Sequence, residues 1–304
     1  MSQSLRMLLL TKPFCRTEGR TSFIMPGQAL HVNSETSPLQ GVGTAQQSEA
    51  LTRFRRVARS RPVLTNRFGA ATFDGSQSRE TRMKRLKNIP VKIDPERLRK
   101  ALRLDSSDKV QPLLEAAQPL IKARAAYTVC YVEARFDDAV QIDGYRLTSG
   151  VLRKNLEKAE RVFPYVVTIG QELEDLATSY EDLLRQYYFD VLGNLAVTAA
   201  REYLEKHLRQ GFGLGKMSRM SPGSLKDWPI EEQKVLFAIL GDVEASIGVT
   251  LKETFLMIPR KSVSGIAFPT EIPFLSCQLC PRENCSARQA DYDRELVAKY
   301  RIEE

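Results

Sequence analysis

The stretch Ile247-Gly-Val-Thr-Leu251-Lys-Glu253-Thr-Phe255-Leu-Met257-Ile-Pro259-Arg-Lys-Ser262-Val263-Ser264-Gly265 decides how this chain is read. Two short apolar β-type segments, 247–251 and 255–259, lead into a Ser-Val-Ser-Gly turn. Upstream lies Arg219-Met-Ser-Pro222-Gly223-Ser224-Leu-Lys-Asp227-Trp-Pro229. There Asp227 reads as a helix cap and Pro229 as a first-turn residue. Glu231 and Glu232 fall near the positive end of a helix that runs to about Leu240. Before that comes a long helix, about 171–208, broken near Ser179. Its small residues Gly193, Ala196 and Ala200 admit a close neighbour, ordinarily another helix and alternatively a flat ligand.

Further toward the N-terminus, Asp94 caps a helix over 94–104 with Pro95 in its first turn, and 110–124 reads as a second helix. Strands are expected at 127–136, at 141–147 with Gly144 near a turn, and at 163–169 closed by Gly170. Ser149 or Gly150 opens a short helix ending near Glu160. The Gly211–Gly215 loop contains Gly-x-Gly, but no strand leads into it and no helix follows directly, so a dinucleotide site is a weak reading. Strands and helices mix without βαβ alternation. The expected class is α+β, a mixed or antiparallel twisted sheet with helices.

The chain has 304 residues and a formal net charge of +8. Residues 1–82 carry net +7, with one lysine (Lys12) against eleven arginines, and residues 83–304 carry net +1. The folded part is thus nearly neutral, which argues against a basic nucleic-acid face. No apolar run approaches the ~20 residues of a membrane-spanning helix, so a soluble, cytoplasmic protein is expected. Residues 1–82 show no sustained period. They read as a mis-assigned start preceding Met83, as a disordered tail, or as an Arg-rich transit peptide. Residues 83–304 form the expected folded domain.

The two segments quoted above resemble, without a gap, two motifs of the reactivation domain of cobalamin-dependent methionine synthases. One is the Arg-Pro-Ala-Pro-Gly-Tyr-Pro segment, followed by a helix with a Leu/Ile-Phe pair, here Leu236-Phe237. The other is the Ile-Gly-…-Ser-Val-Ser-Gly run. The matched parts span about 188–268. The resemblance implies an activation-domain-like fold that binds S-adenosylmethionine and docks on a cobalamin-binding methionine synthase or another corrinoid protein. It implies support for reductive methylation: an electron from a donor converts cob(II)alamin to cob(I)alamin, which captures the sulfonium methyl. Arg219 matches the family's ligand-binding arginine, whereas a lone loop arginine is ordinarily a solvated charge. Pro222 and Gly223 would shape its loop, and Ser264, Gly265 and Phe268 fall in the second motif. The sequence also departs from the family. Ser224 replaces a tyrosine, only Phe268 remains of an aromatic pair, and Asn194 and Thr198 replace acids. Each departure removes a π-face or a charge that suits a cationic ligand. Asp190 and Glu202 are the nearest acids on that helix, and both read as surface charges.

Cys277-Gln-Leu-Cys280-Pro281-Arg-Glu-Asn284-Cys285 follows, before a short C-terminal helix. The Cys-x2-Cys-x4-Cys spacing suits a metal, either an iron–sulfur cluster or zinc, with no obvious fourth ligand. Free loop thiols are the plainer alternative. Arg288 would pair with thiolate charge or face water. No nucleophile–base pair is legible, and His207 reads as a solvated helix residue. Three functions remain open: a reactivation module acting on a separate corrinoid protein, a non-catalytic corrinoid-protein partner that has lost S-adenosylmethionine binding, and a metal-stabilised interaction domain.

Overall fold

A computed structural model describes residues 83–283, 285 and 288–300. The three readings of residues 1–82 lie outside the described residues. Strand β1, Lys84–Leu86, precedes α1, Pro95–Leu102. Asp94 caps α1 by accepting from the Glu96 amide at 3.0 Å, and Leu98 and Leu102 turn inward. Helix α2, Gln111–Ala117, is shorter than its apolar pattern implies. The chain tightens into a 3-10 turn at Gln118–Leu120, where Pro119 has no amide to continue the ladder. The strand expected at 127–136 is β3 (Cys130–Arg135), and a separate strand, β2 (Arg124–Tyr127), precedes it. The hairpin β4 (Ala139–Ile142) and β5 (Tyr145–Thr148) turns at Asp143-Gly144, both at positive φ, as a tight two-residue hairpin requires.

Helix α3, Gly150–Asn155, is capped by Ser149 and leads to β6, Arg161–Thr168. The break expected near Ser179 separates α4, Glu172–Ser179, from α5, Leu183–Phe212, which Asp182 caps. Strand β7, Met217–Met220, was not expected. Helix α6, Gln233–Leu240, is followed by α7, Val243–Ile247, whose last residue is the first of the expected β-type segment 247–251. A minimal hairpin, β8 (Thr250–Leu251) and β9 (Met257–Ile258), precedes β10, Ser262–Pro269, and α8, Arg294–Tyr300, ends the described chain.

The Ser-Val-Ser-Gly segment is therefore a buried strand and not a turn. Its hydroxyls are satisfied inside the fold. Ser262 Oγ lies 2.6 Å from the Pro259 carbonyl and 2.9 Å from Thr168 Oγ1, and Ser264 Oγ accepts from Gln233 Nε2 at 3.1 Å. Strand β10 lies between β6 and β7. The far edge of β6 is shared by β2, which carries β1, and by β3, which carries the β4–β5 hairpin. Every pairing is antiparallel, so the class is α+β. One face of the sheet buries Phe163, Tyr165 and Ala267 with Leu192, Ala196 and Leu204 of α5. The other buries Ile266 and Phe268 with Trp228 and Leu236. Side chains alternate along β10, so residue parity decides which face a side chain serves.

Candidate functional site

Arg219 sits on β7 opposite Ala267 of β10. Ala267 packs on the α5 face, so the alternation sends the Arg219 side chain to the same side. There Nη1 donates to Glu205 Oε2 of α5 at 3.0 Å and Nη2 donates to Gln289 Oε1 at 2.9 Å. The side chains of Arg219 and Glu205 are 19% and 21% exposed, so the ion pair is partly shielded from water. Gln289 in turn donates its amide to Cys277 Sγ at 3.4 Å. Arg219 thus ties the long helix to the cysteine loop.

Beside it, Gly265 brings two strands unusually close. A Cβ at this position would stand 2.4 Å from the Met220 carbonyl, 2.8 Å from Ser221 Oγ and 3.0 Å from Tyr165 Oη. Only glycine permits that approach. Tyr165 is 1% exposed, and its hydroxyl has no hydrogen-bond partner. Arg201 of α5 likewise has buried, unpartnered Nε and Nη2 atoms. Burial pulls its guanidinium below the usual arginine range. Tyr165 opposes that shift, Arg219 reinforces it, and Glu202 and Glu205 oppose it.

The loop after β7 is a tight knot. The Gly223 amide donates to the Trp228 carbonyl at 2.7 Å, and the Trp228 amide donates to Leu225 at 3.2 Å. Gly223 has φ +78, and a Cβ there would stand 2.7 Å from Ile230 Cδ1. Pro222 and Trp228 are buried. Asp227 does not cap α6 as expected. Its carboxylate accepts from Gly150 N at 3.2 Å, Val151 N at 3.0 Å and the Ser149 hydroxyl, and so caps α3 from a distance in sequence. The sequence order of Asp227 and Pro229 imitates a local cap, but the loop folds back toward α3.

Arg219 and Gly265 share the α5 face, with Pro222 and Gly223 forming the bend beside them. Ser264 and Phe268 have the opposite parity. Ser264 bonds Gln233 and Phe268 is wholly buried with Trp228, so neither lies on the Arg219 side. The expected role of Phe268 as a ligand-facing ring is replaced by a role in the core. Asn194 and Asp190 together hold Lys261 Nζ, at 2.8 and 2.6 Å, and Gly193 leaves room for the Lys261 stem rather than for a flat ligand. His207 is half-buried, with Nε2 3.1 Å from the Tyr127 hydroxyl, and is not solvated as expected.

Cys277, Cys280 and Cys285 are half-buried thiols. Among the described residues no group of three or more His, Cys, Asp or Glu side chains is gathered to hold a metal ion. The three thiols whose spacing suggested a shared metal, with no obvious fourth ligand, are thus not gathered around a common point among the described residues. Arg288 is half-buried, and its guanidinium is aimed at backbone carbonyls rather than at sulfur. It donates to the carbonyls of Cys277 (3.2 Å), Ala290 (3.0 Å), Cys280 (3.0 Å) and Arg282, and so shapes the loop through its backbone. Cavities occur elsewhere: one of about 320 Å³ is lined by Leu173, Tyr187 and Lys261, and one of about 720 Å³ by Lys154, Phe274 and Tyr300.

Sequence reasoning missed Arg201, Tyr165, Glu205 and Gln289. One signal was available. Val197, Leu204 and Leu208 form a buried stripe on α5, and Arg201 occupies the i+4 position from Val197. A charge on an apolar stripe marks either a salt bridge or a site.

No protein-family model matches the chain, and no curated protein matches it. Among solved structures, it is similar to a crystal structure of the MetH reactivation domain bound to AdoHcy. The identity is 18% and the TM-score 0.44, over 64% of this chain and 81% of that chain. A likeness of this size concerns the fold alone. Among the described residues no helix is long and apolar enough to cross a membrane.

Proposed function

We propose that this chain is a reactivation module for a cobalamin-binding methionine synthase or related corrinoid methyltransferase, and that it binds S-adenosylmethionine on the Arg219 face of the sheet. The two gap-free motif resemblances support this reading. One structural observation carries it: Arg219 is fixed in a partly buried position beside Gly265 and beside donors of Tyr165 and Arg201 that have no partner. Such donors fit the carboxylate end of the ligand. Glu205, paired with Arg219, is the acid of this face for which the cationic end would compete. When bound, S-adenosylmethionine supplies an electrophilic methyl group to the corrinoid held by the partner. The residues of this chain hold the ligand's charged ends. The reducing electron comes from a separate donor.

The test uses the full chain, with calorimetry against S-adenosylmethionine and capture of a cobalamin-loaded methyltransferase. Saturable heat together with capture is expected. Absence of both overturns the proposal. A second reading, a corrinoid-protein partner that no longer binds S-adenosylmethionine, is favoured by the burial of Phe268 and by Ser224, which take from the site the two rings that the motif resemblance would offer a sulfonium. Capture without heat at millimolar ligand would select it.

A further inference from the structure

Arg219 is committed to Glu205 and Gln289, but Arg201 is committed to nothing at its Nε–Nη2 edge. That edge carries two parallel N–H donors, the fork that matches a carboxylate in a bidentate grip. It is buried on a stripe of α5 where Val197, Leu204 and Leu208 pack into the core. Folding alone disfavours a desolvated charge with empty donors, so an arrangement of this kind points to a missing anion. Tyr165 supplies a second, independent sign. It is 1% exposed, its hydroxyl has no partner, and that hydroxyl lies against Gly265, 3.0 Å from where a Cβ would stand. The local charges are two guanidinium groups, Arg201 and Arg219, against Glu205, which is already paired, and the exposed Glu202. The cluster lacks a negative group at its buried end.

We infer that Arg201 and Tyr165 form a carboxylate-binding site, and that Arg201 rather than Arg219 is the bidentate anchor for a small carboxylic acid on this face. Arg219 then closes the outer side of the site through Glu205 and Gln289. The inference deepens the reading of this face as a small-molecule site, but it does not require the ligand to be S-adenosylmethionine. A free carboxylic acid and the amino-acid end of a larger molecule share the chemistry, and the probes separate them.

The experiment observes the arginine Nε–H signals of the full chain, labelled with ¹⁵N-arginine, during titration with sodium acetate, with L-methionine, and with sodium chloride at matched ionic strength. The Arg201 signal is identified by its loss in Arg201→Lys. Saturable movement of that signal with either carboxylate and not with chloride is expected, with L-methionine the tighter if the site takes an amino-acid end. Arg201→Met should weaken carboxylate binding by about tenfold or more. It should leave the ligand-free unfolding midpoint unchanged or raised, because it removes an unpartnered buried charge. A stationary Arg201 signal in the wild-type chain overturns the inference whatever the Arg201→Met protein does. So does S-adenosylmethionine binding with unaltered affinity in Arg201→Met, an outcome that leaves the reactivation reading standing. Carboxylate binding without S-adenosylmethionine binding has the opposite meaning: it supports the inference and removes that reading.

Discussion

Replacing Gly265 by alanine tests the close strand approach that defines the site. The added methyl would stand 2.4 Å from the Met220 carbonyl, 2.8 Å from Ser221 Oγ and 3.0 Å from Tyr165 Oη. The Ser221 hydroxyl can rotate aside, but the Tyr165 ring is buried, and the carbonyl belongs to β7 and is held by the Ile266–Met220 pairing. Strand β10 is clamped by β6 on its other edge, so it cannot retreat without losing ladder hydrogen bonds. Overpacking a well-packed site costs about 1–3 kcal/mol, and a backbone obstacle places this case near about 3 kcal/mol. In a domain of this size each kcal/mol moves the thermal midpoint by about 2–4 °C, so a fall of about 6–12 °C is expected. Urea unfolding should show the same loss with an unchanged slope, meaning that the native state stays compact. Gly211→Ala is the control: it lies in α5 with nothing within 4 Å, and it should stabilise by about 0.5–1 kcal/mol. A Gly265→Ala protein within about 0.5 kcal/mol of wild type would refute the tight approach and the geometry built on it.

Asp227→Ala removes three charge-assisted hydrogen bonds from the N-terminus of α3 and should cost about 2–4 kcal/mol in urea unfolding, with Asp227→Asn recovering part of it. Burial raises the Tyr127 and Tyr300 hydroxyls above the ordinary value of 10.0, and in Tyr300 the Asn155 bond partly opposes this. Their contribution to stability is therefore complete below that pH and is lost as pH climbs past it. An ultraviolet titration should show two late-ionising tyrosines, one of which disappears in Tyr127→Phe. Arg288→Lys cannot span four carbonyls, so alkylation of Cys277 should accelerate severalfold; an unchanged rate contradicts the tethering role.

Much of the fold could be read from local physics. Asp94 and Ser149 cap helices where their hydroxyl or carboxylate precedes an apolar stripe, and Asp143-Gly144 turns a hairpin because both residues tolerate positive φ. Errors arose where tertiary contacts override local cues. Asp227 sits in the position of a local cap but serves α3, some 77 residues away along the chain. Ser262 and Ser264 look like turn residues, yet Thr168, Pro259 and Gln233 satisfy them inside a sheet. Met217–Met220 is too short to announce itself and is a strand only because β10 pairs with it. Of the residues that the structure gathers on the Arg219 face, the motifs pointed to Arg219, Gly265 and the Pro222-Gly223 bend. Arg201 and Tyr165 were not legible, because whether a buried polar atom has a partner depends on long-range packing. Phe268 was misassigned because its face is set by register, which the motif does not specify.

The most direct test of the account is a calorimetric titration of S-adenosylmethionine into the Arg219→Ala chain beside wild type, with urea midpoints matched to show that both are folded. Saturable heat in wild type, reduced by about tenfold or more in affinity in the variant, is the predicted result. Equal affinity in the two proteins, or no heat in wild type at millimolar ligand, would contradict it.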